Sequence, residues 1–155
     1  MMFELILYQP QIPPNTGNII RLCANSGARL HLIEPLGFTL EEKALRRAGL
    51  DYHALASLTL HPDLPACINS LGKVPLLAIT RHGSRCYTEH RFQPGSALLF
   101  GSETAGLPVS IRDKIAAQHQ LFIPMRDGNR SLNLSNAAAL VLYEAWRQHG
   151  FAGAG

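Results

Sequence analysis

Charged side chains make up only 16% of this 155-residue chain, while apolar residues reach 46%. A chain too polar to bury a core is therefore excluded, and a folded domain of ordinary size is expected. No apolar run approaches the roughly 18–20 residues that a membrane span needs. The first residues enter an alternating run, Phe3 to Tyr8, without a basic leader or a small-residue cleavage site. That pattern predicts no secretory signal and a cytoplasmic location. Cys23, Cys67 and Cys86 are odd in number, far apart and in no C-x-x-C pair, which fits reduced thiols used as small apolar side chains. The seven histidines show no ligand spacing such as H-E-x-x-H, so no metal site is expected. The dinucleotide fingerprint G-x-G-x-x-G is also missing, which disfavours a nicotinamide-dependent oxidoreductase.

The formal net charge of +3 permits a polyanionic partner without requiring one. Its placement says more. Arg46 and Arg47, then Arg81, Arg85 and Arg91, then Arg126 and Arg130 all fall in or beside expected loops, where ligand contacts concentrate.

Strand-like and helix-like runs alternate along the chain. Phe3–Tyr8 reads as a strand. Thr16–Asn25 reads as a helix with Ile19, Ile20, Cys23 and Ala24 on one face, Thr16 as N-cap and Gly27 as stop. Arg29–Glu34 is a second strand ended by Pro35, Leu40–Ala48 a short charged helix closed by Gly49, and Pro62–Leu71 a helix ended by Gly72. Val74–Thr80 and Ser96–Phe100 are nearly continuous apolar runs, as in strands covered on both faces. Pro108–Gln118 opens with proline at a favoured first helical position, and Gln120–Ile123 is a further short strand. In the last helix, Leu134, Ala137, Ala138, Val141, Leu142, Ala145 and Trp146 form one apolar stripe that ends before Gly150. The alternation predicts an α/β domain with a mainly parallel sheet, over residues 1–151, and a frayed, disordered tail over 152–155.

Three loops after strands hold the polar residues that core packing does not explain. The first is Asn15-Thr16-Gly17-Asn18-Ile19-Ile20-Arg21, with two amides, a glycine that permits close backbone approach, and Arg21 one helical turn in. The second runs from Gly101 through Glu103 to Gly106, a G-x-E-x-x-G turn whose carboxylate would repel a pyrophosphate and suits an amine or cation. The third, Ile123 to Asn136, carries Ser131, Asn133 and Ser135 where a single N-cap would suffice.

Taken together, NTGNIIR, LLFGSETAGLP and IPMRDGNRSLNLSNAAALVLYEAW resemble, in this order, the three motifs of the SPOUT superfamily of knotted methyltransferases, in its ribose-modifying branch. The likeness continues through RLCANSGARLHLIEP and LRRAGLDY, and is greatest to the minimal single-domain members that modify the tRNA wobble nucleotide.

The resemblance implies a parallel sheet flanked by helices with a C-terminal trefoil knot, a feature that no sequence pattern can show. It implies transfer of a methyl group from S-adenosylmethionine to the ribose 2′-hydroxyl of a wobble cytidine or modified uridine, with leucine tRNAs as expected carriers. Methylation at another tRNA or rRNA site, or a non-catalytic RNA-binding module, are the alternatives. Arg21, Asn18, Glu103 and Asn133 are the implied catalytic group. Ile79, Thr80, Gly101, Glu103, Gly106, Ile123, Met125, Ser131, Leu132 and Asn136 are the implied cofactor-binding residues, with Gly101 needed because a Cβ would obstruct the ligand. Arg21, Arg46, Arg47, Arg81, Arg85, Arg126 and Arg130 are expected to meet an anticodon stem-loop. Tyr143 and Trp146 are expected at a homodimer interface. No membrane and no metal enter this expectation.

Overall fold

The computed structural model describes residues 2–40, 57–129 and 131–155. The expected helix Leu40–Ala48 therefore lies almost entirely outside the described residues. The described elements run β1 (Glu4–Tyr8), α1 (Pro13–Ser26), β2 (Arg29–Ile33), β3 (Leu58–His61), α2 (Leu64–Leu71), β4 (Leu76–Ile79), β5 (Arg85–Cys86), β6 (Ala97–Phe100), α3 (Val109–Arg112), β7 (Gln120–Phe122) and α4 (Leu134–Gln148). The seven strands form one sheet in the order β3-β2-β1-β6-β4-β7-β5. Every pair in it is parallel.

Burial explains why the central strands read as unbroken apolar runs. On one face Leu5, Leu7, Leu30, Leu32, Leu98 and Phe100 pack under α1 and α4, through Ile19, Ile20, Cys23, Ala138, Val141, Leu142 and Ala145. On the other face Ile6, Ile33, Ala78, Ala97 and Leu99 pack with Leu64 and Cys67 of α2 and with Leu107. Both faces are thus covered, and each fully buried Leu or Ile contributes about 1.5–3 kcal/mol.

Three expectations needed correction. The first helix begins at Pro13, not near Thr16. Pro13 and Pro14 occupy its first turn, where an N–H has no helical partner anyway, Ile12 is the N-cap, and Thr16 is fully buried within it. The helix expected over Pro108–Gln118 stops at Arg112. The Gln120 side-chain amide donates to the Arg112 and Ile115 carbonyls, both at 2.9 Å, and so satisfies acceptors that a continuing helix would have used. Two short strands, β3 and β5, were not foreseen. As expected, Gly27 ends α1 in the left-handed region, at φ 80°. Gly150, at φ 66°, ends α4 with its N–H on Arg147 O and the Phe151 N–H on Trp146 O.

β4 and β5 are consecutive along the chain, yet β7 lies between them in the sheet. The intervening loop crosses β7 closely. The Thr80 N–H donates to Leu121 O and the Ser84 N–H to Gln120 O, both at 2.9 Å. A Cβ on Gly83 would lie 2.4 Å from the Leu121 carbonyl carbon, so only glycine fits at this crossing. Phe100 is aligned with Ile79, and Ile79 with Leu121, so the loops after β6, β4 and β7 leave the sheet side by side.

Candidate active site

The loops after β4, β6 and β7 enclose a cleft of about 900 Å³ at the C-terminal ends of these strands, which is where parallel sheets bind ligands. Its apolar wall includes Ile79, Leu107 and Ile123. Of the expected cofactor-binding residues, Ile79, Thr80, Gly101, Glu103, Gly106, Ile123, Met125, Ser131 and Leu132 line it. Asn136 does not; it is exposed at the start of α4, and its backbone N–H donates to Asn133 Oδ1.

The requirement for glycine at position 101 has a different origin from the one expected. A Cβ there would fall 2.2 Å from the Gly106 carbonyl carbon and 2.3 Å from the Leu107 nitrogen. The obstruction is the chain's own return, closed by the Gly106 N–H on Ser102 O, and needs no ligand to act.

The three motifs are joined by side-chain hydrogen bonds across distant parts of the chain. The Glu103 carboxylate accepts the Gln11 N–H at 2.9 Å, the Ile12 N–H at 2.7 Å and the Asn15 amide at 3.3 Å. It therefore supplies negative charge at the N-terminus of α1, where the helix's own residues supply no cap. Thr104 adds a hydroxyl hydrogen bond to the Gln11 side chain. Asn15 is buried and passes the link onward, because its Oδ1 accepts the Asn133 amide at 3.0 Å. Asn133 in turn caps α4, its Oδ1 accepting from the Ser135 and Asn136 N–H groups and from the Ser135 hydroxyl.

Asn18 and Arg21 are exposed on α1, three residues apart and so on one side of the helix, outside the residues that line the cleft. Arg81 lines the cleft. Arg85 on β5 and Arg126 in the loop after β7 are exposed. Arg46, Arg47 and Arg130 lie outside the described residues. Tyr143 is exposed on α4, and its ring meets Trp146 edge-on, which in turn packs against Phe151. The Trp146 indole N–H donates to Ala152 O at 2.9 Å and so ties the first residue of the expected tail to α4.

Sequence reasoning missed two basic side chains in the cleft, His82 and Arg112. Arg112 was hidden because a continuous helix over 108–118 gave no reason to single it out. Arg112 first, then slight desolvation and Arg81, hold the exposed His82 imidazole below its ordinary range. Elsewhere, Glu4, His31 and His61 form a buried chain, with His31 Nε2 2.9 Å from Glu4 Oε1 and His31 Nδ1 2.9 Å from His61 Nε2. Cys67 brings a third possible metal-ligating atom within 4.8 Å of these two histidines, a grouping the scattered sequence positions did not suggest. Burial first, and then Glu4, push the Cys67 thiol up to about 11 and the Cys23 thiol up to about 12, which fits unreactive apolar cysteines.

Comparison with known proteins assigns the chain to a family. The SpoU rRNA Methylase family matches residues 2–143. The tRNA (cytidine(34)-2′-O)-methyltransferase of Methylovorus glucosotrophus is 57% identical over 153 residues, with 99% of each chain covered. The protein of the same name from Escherichia coli is 52% identical, with 99% of this chain and 98% of that one covered. A solved structure concerned with the 2-OH methylation of C/U34 on tRNA superposes with a TM-score of 0.89 at 43% identity, covering 96% of this chain and 97% of that one. The SpoU methyltransferase AviRb from Streptomyces viridochromogenes, solved with its cofactor AdoMet, superposes with a TM-score of 0.78 at 28% identity, over 94% of this chain and 57% of that one. With a family match spanning almost all of the sequence, the chain belongs to the SpoU rRNA Methylase family.

Proposed function

We propose that this chain transfers a methyl group from S-adenosylmethionine to the ribose 2′-hydroxyl of the wobble nucleotide of tRNA, a cytidine or modified uridine. The observation that carries this reading is the joining of three separate motifs at one cleft, through Glu103, Asn15 and Asn133, in a chain whose full-length relatives are named for that reaction. The cleft suits the adenosyl group: about 900 Å³ accommodates a ligand of that size, with an apolar wall from Ile79, Leu107 and Ile123 and turn backbone beside it. Met125, Ser131, Leu132, Thr80 and Gly106 also line it. The cofactor, when bound, supplies a methyl carbon already activated by a sulfonium.

The protein's part is alignment and proton management. Arg21 serves the reacting oxygen. A guanidinium has a pKa above about 12 and no lone pair to accept a proton, so Arg21 stabilises developing alkoxide charge or holds the adjacent phosphate. Asn18, three residues earlier, assists on the RNA side. Glu103 and Asn133 act as positioning residues, because their oxygens are taken up by the N-termini of α1 and α4. Arg46, Arg47, Arg81, Arg85, Arg126 and Arg130 neutralise phosphates of the anticodon stem-loop without reading base edges. Displacement of a neutral thioether needs no Lewis acid, so this reading includes no metal.

Residues 1–151 form the working domain, in the cytoplasm, with 152–155 as a tail. The passage of β7 under the 80–84 loop is part of a C-terminal trefoil knot. The exposed side chains of Leu140, Tyr143 and Phe151, with Trp146 beside them, belong to a homodimer interface. Incubation of the purified chain with methyl-labelled S-adenosylmethionine and unmodified tRNA, followed by digestion to nucleosides, tests the reaction. Label in 2′-O-methylcytidine or a 2′-O-methyluridine derivative supports it, and label on a base sinks it.

A further inference from the structure

We propose that Arg112, His82 and Arg81 form a seat for an RNA phosphodiester at the mouth of the cleft, next to the ribose that is methylated. The proposal rests on the reading of the cleft as a ribose-methylation site and adds a recognition element that the sequence motifs do not contain. All three side chains line the cleft, although they come from two elements separated in the chain: the 80–84 loop after β4 and the single turn α3. The 80–84 loop is fixed in place by its crossing of β7, through the Thr80 and Ser84 N–H groups and the close fit at Gly83. Arg112 is half-buried, and its Nε–H donates to Leu107 O at 3.3 Å, which anchors the guanidinium beside the cleft.

No ion pair takes up the charge of this group among the described residues, where neither Arg81 nor Arg112 has an ion-pair partner. Both guanidiniums depress the proton affinity of His82, so at neutral pH the imidazole adds an uncharged N–H donor to a cleft wall that also carries two cations. Such a set suits an anion with several oxygens. A guanidinium presents a planar fork that matches phosphate, and a neutral donor adds a hydrogen bond without further repulsion. The anionic oxygen could come from an RNA phosphate or from the carboxylate of the cofactor's methionyl group. The arrangement favours the phosphate. Arg81 and His82 line the cleft and are exposed to solvent, Arg85 and Arg126 are exposed on the elements that follow, and two cations with an added donor exceed what one carboxylate needs.

The experiment compares the wild-type chain with Arg112→Gln, Arg81→Gln and Arg112→Lys, all checked by thermal unfolding. Binding of S-adenosylhomocysteine is measured by calorimetry without RNA, and binding of an unmodified tRNA transcript is measured across salt concentrations. Each Gln variant should weaken tRNA binding about 5–10-fold at 0.1 M salt and lower the slope of log affinity against log salt by roughly 0.7–0.9, the value of one phosphate contact. Arg112→Lys keeps the charge and should restore most of that slope. Affinity for S-adenosylhomocysteine should stay within about twofold throughout, because the seat faces the RNA. A larger loss of S-adenosylhomocysteine affinity than of tRNA affinity would overturn the proposal and give the seat to the cofactor carboxylate. Unchanged tRNA affinity and slope in well-folded Gln variants would overturn it as well. Failure of the wild-type chain to methylate tRNA would instead count against the reading of the enzyme, and the binding experiment would still decide the seat.

Discussion

Glu103 Oε2 accepts the Ile12 N–H at 2.7 Å, a contact between residues 91 positions apart in sequence. Together with the Gln11 and Asn15 bonds, it makes one carboxylate both the cap of α1 and the clasp between two motifs. Replacement by alanine should cost about 2 kcal/mol of stability, a lost cap plus charge-assisted hydrogen bonds. The helix that carries Arg21 would also shift, lowering kcat on the order of 10- to 100-fold. Glu103→Gln keeps one acceptor oxygen and should lose less on both counts. Urea unfolding and steady-state methylation check this, and full activity in Glu103→Ala would remove Glu103 from its positioning role.

Arg21→Ala should abolish methyl transfer while leaving S-adenosylhomocysteine affinity within about twofold, because Arg21 lies outside the cleft lining and serves the reacting oxygen. Calorimetry and single-turnover kinetics separate the two. Wild-type turnover in the variant, or loss of cofactor binding, contradicts the assigned role.

Much of this was legible in the sequence, and the exceptions share a physical cause. Elements set by local periodicity, such as α4 with its apolar stripe and its Gly150 stop, follow directly from the residues. So do β6 and β4, whose unbroken apolar runs reflect cover on both faces. Elements decided by distant groups do not. Glu103, 91 positions from Ile12, sets the start of α1. The end of α3 depends on the Gln120 side-chain amide, which lies beyond the helix and takes the Arg112 carbonyl, a contact that helical periodicity does not mark. β5 has two residues and exists because β7 passes beside it, so no pattern could mark it. The cleft residues after β4, β6 and β7 were found through the motifs. His82 and Arg112 were missed because their significance lies only in their convergence.

Stability should fall on acidification, and His61 gives the first part of that slope. Burial, and then His31, hold its imidazole below its ordinary range. Below about pH 6.5 the unfolded chain takes up a proton that the folded chain refuses, so stability is present above that value and declines as pH falls towards the folded value. His90 is held down by burial, Arg85 and His119, and it adds in the same direction. Burial works against ionisation of Glu4, but hydrogen bonds from His31 and Arg29 outweigh it and hold the carboxyl below its usual range. Its contribution is therefore lost only below about pH 4.3. Urea midpoints between pH 7.5 and 5 should decline, and less steeply in His61→Gln. An equal slope in that variant would show that His61 does not set the acid limb.

Tyr143→Glu should convert a dimer into a monomer, because it places a charge among the exposed Leu140, Tyr143 and Phe151 side chains. Light scattering at micromolar concentration gives the answer. A wild-type chain that is monomeric and fully active would contradict the proposed interface.

The central claim is the site of methylation, and mass-spectrometric mapping of 2′-O-methyl groups in tRNA from cells with and without this gene tests it most directly. The account predicts that the wobble ribose loses its methyl group when the gene is absent and regains it when the wild-type chain, but not Arg21→Ala, is restored. An unchanged wobble ribose, with a methyl group lost from another tRNA position or from ribosomal RNA, would contradict it.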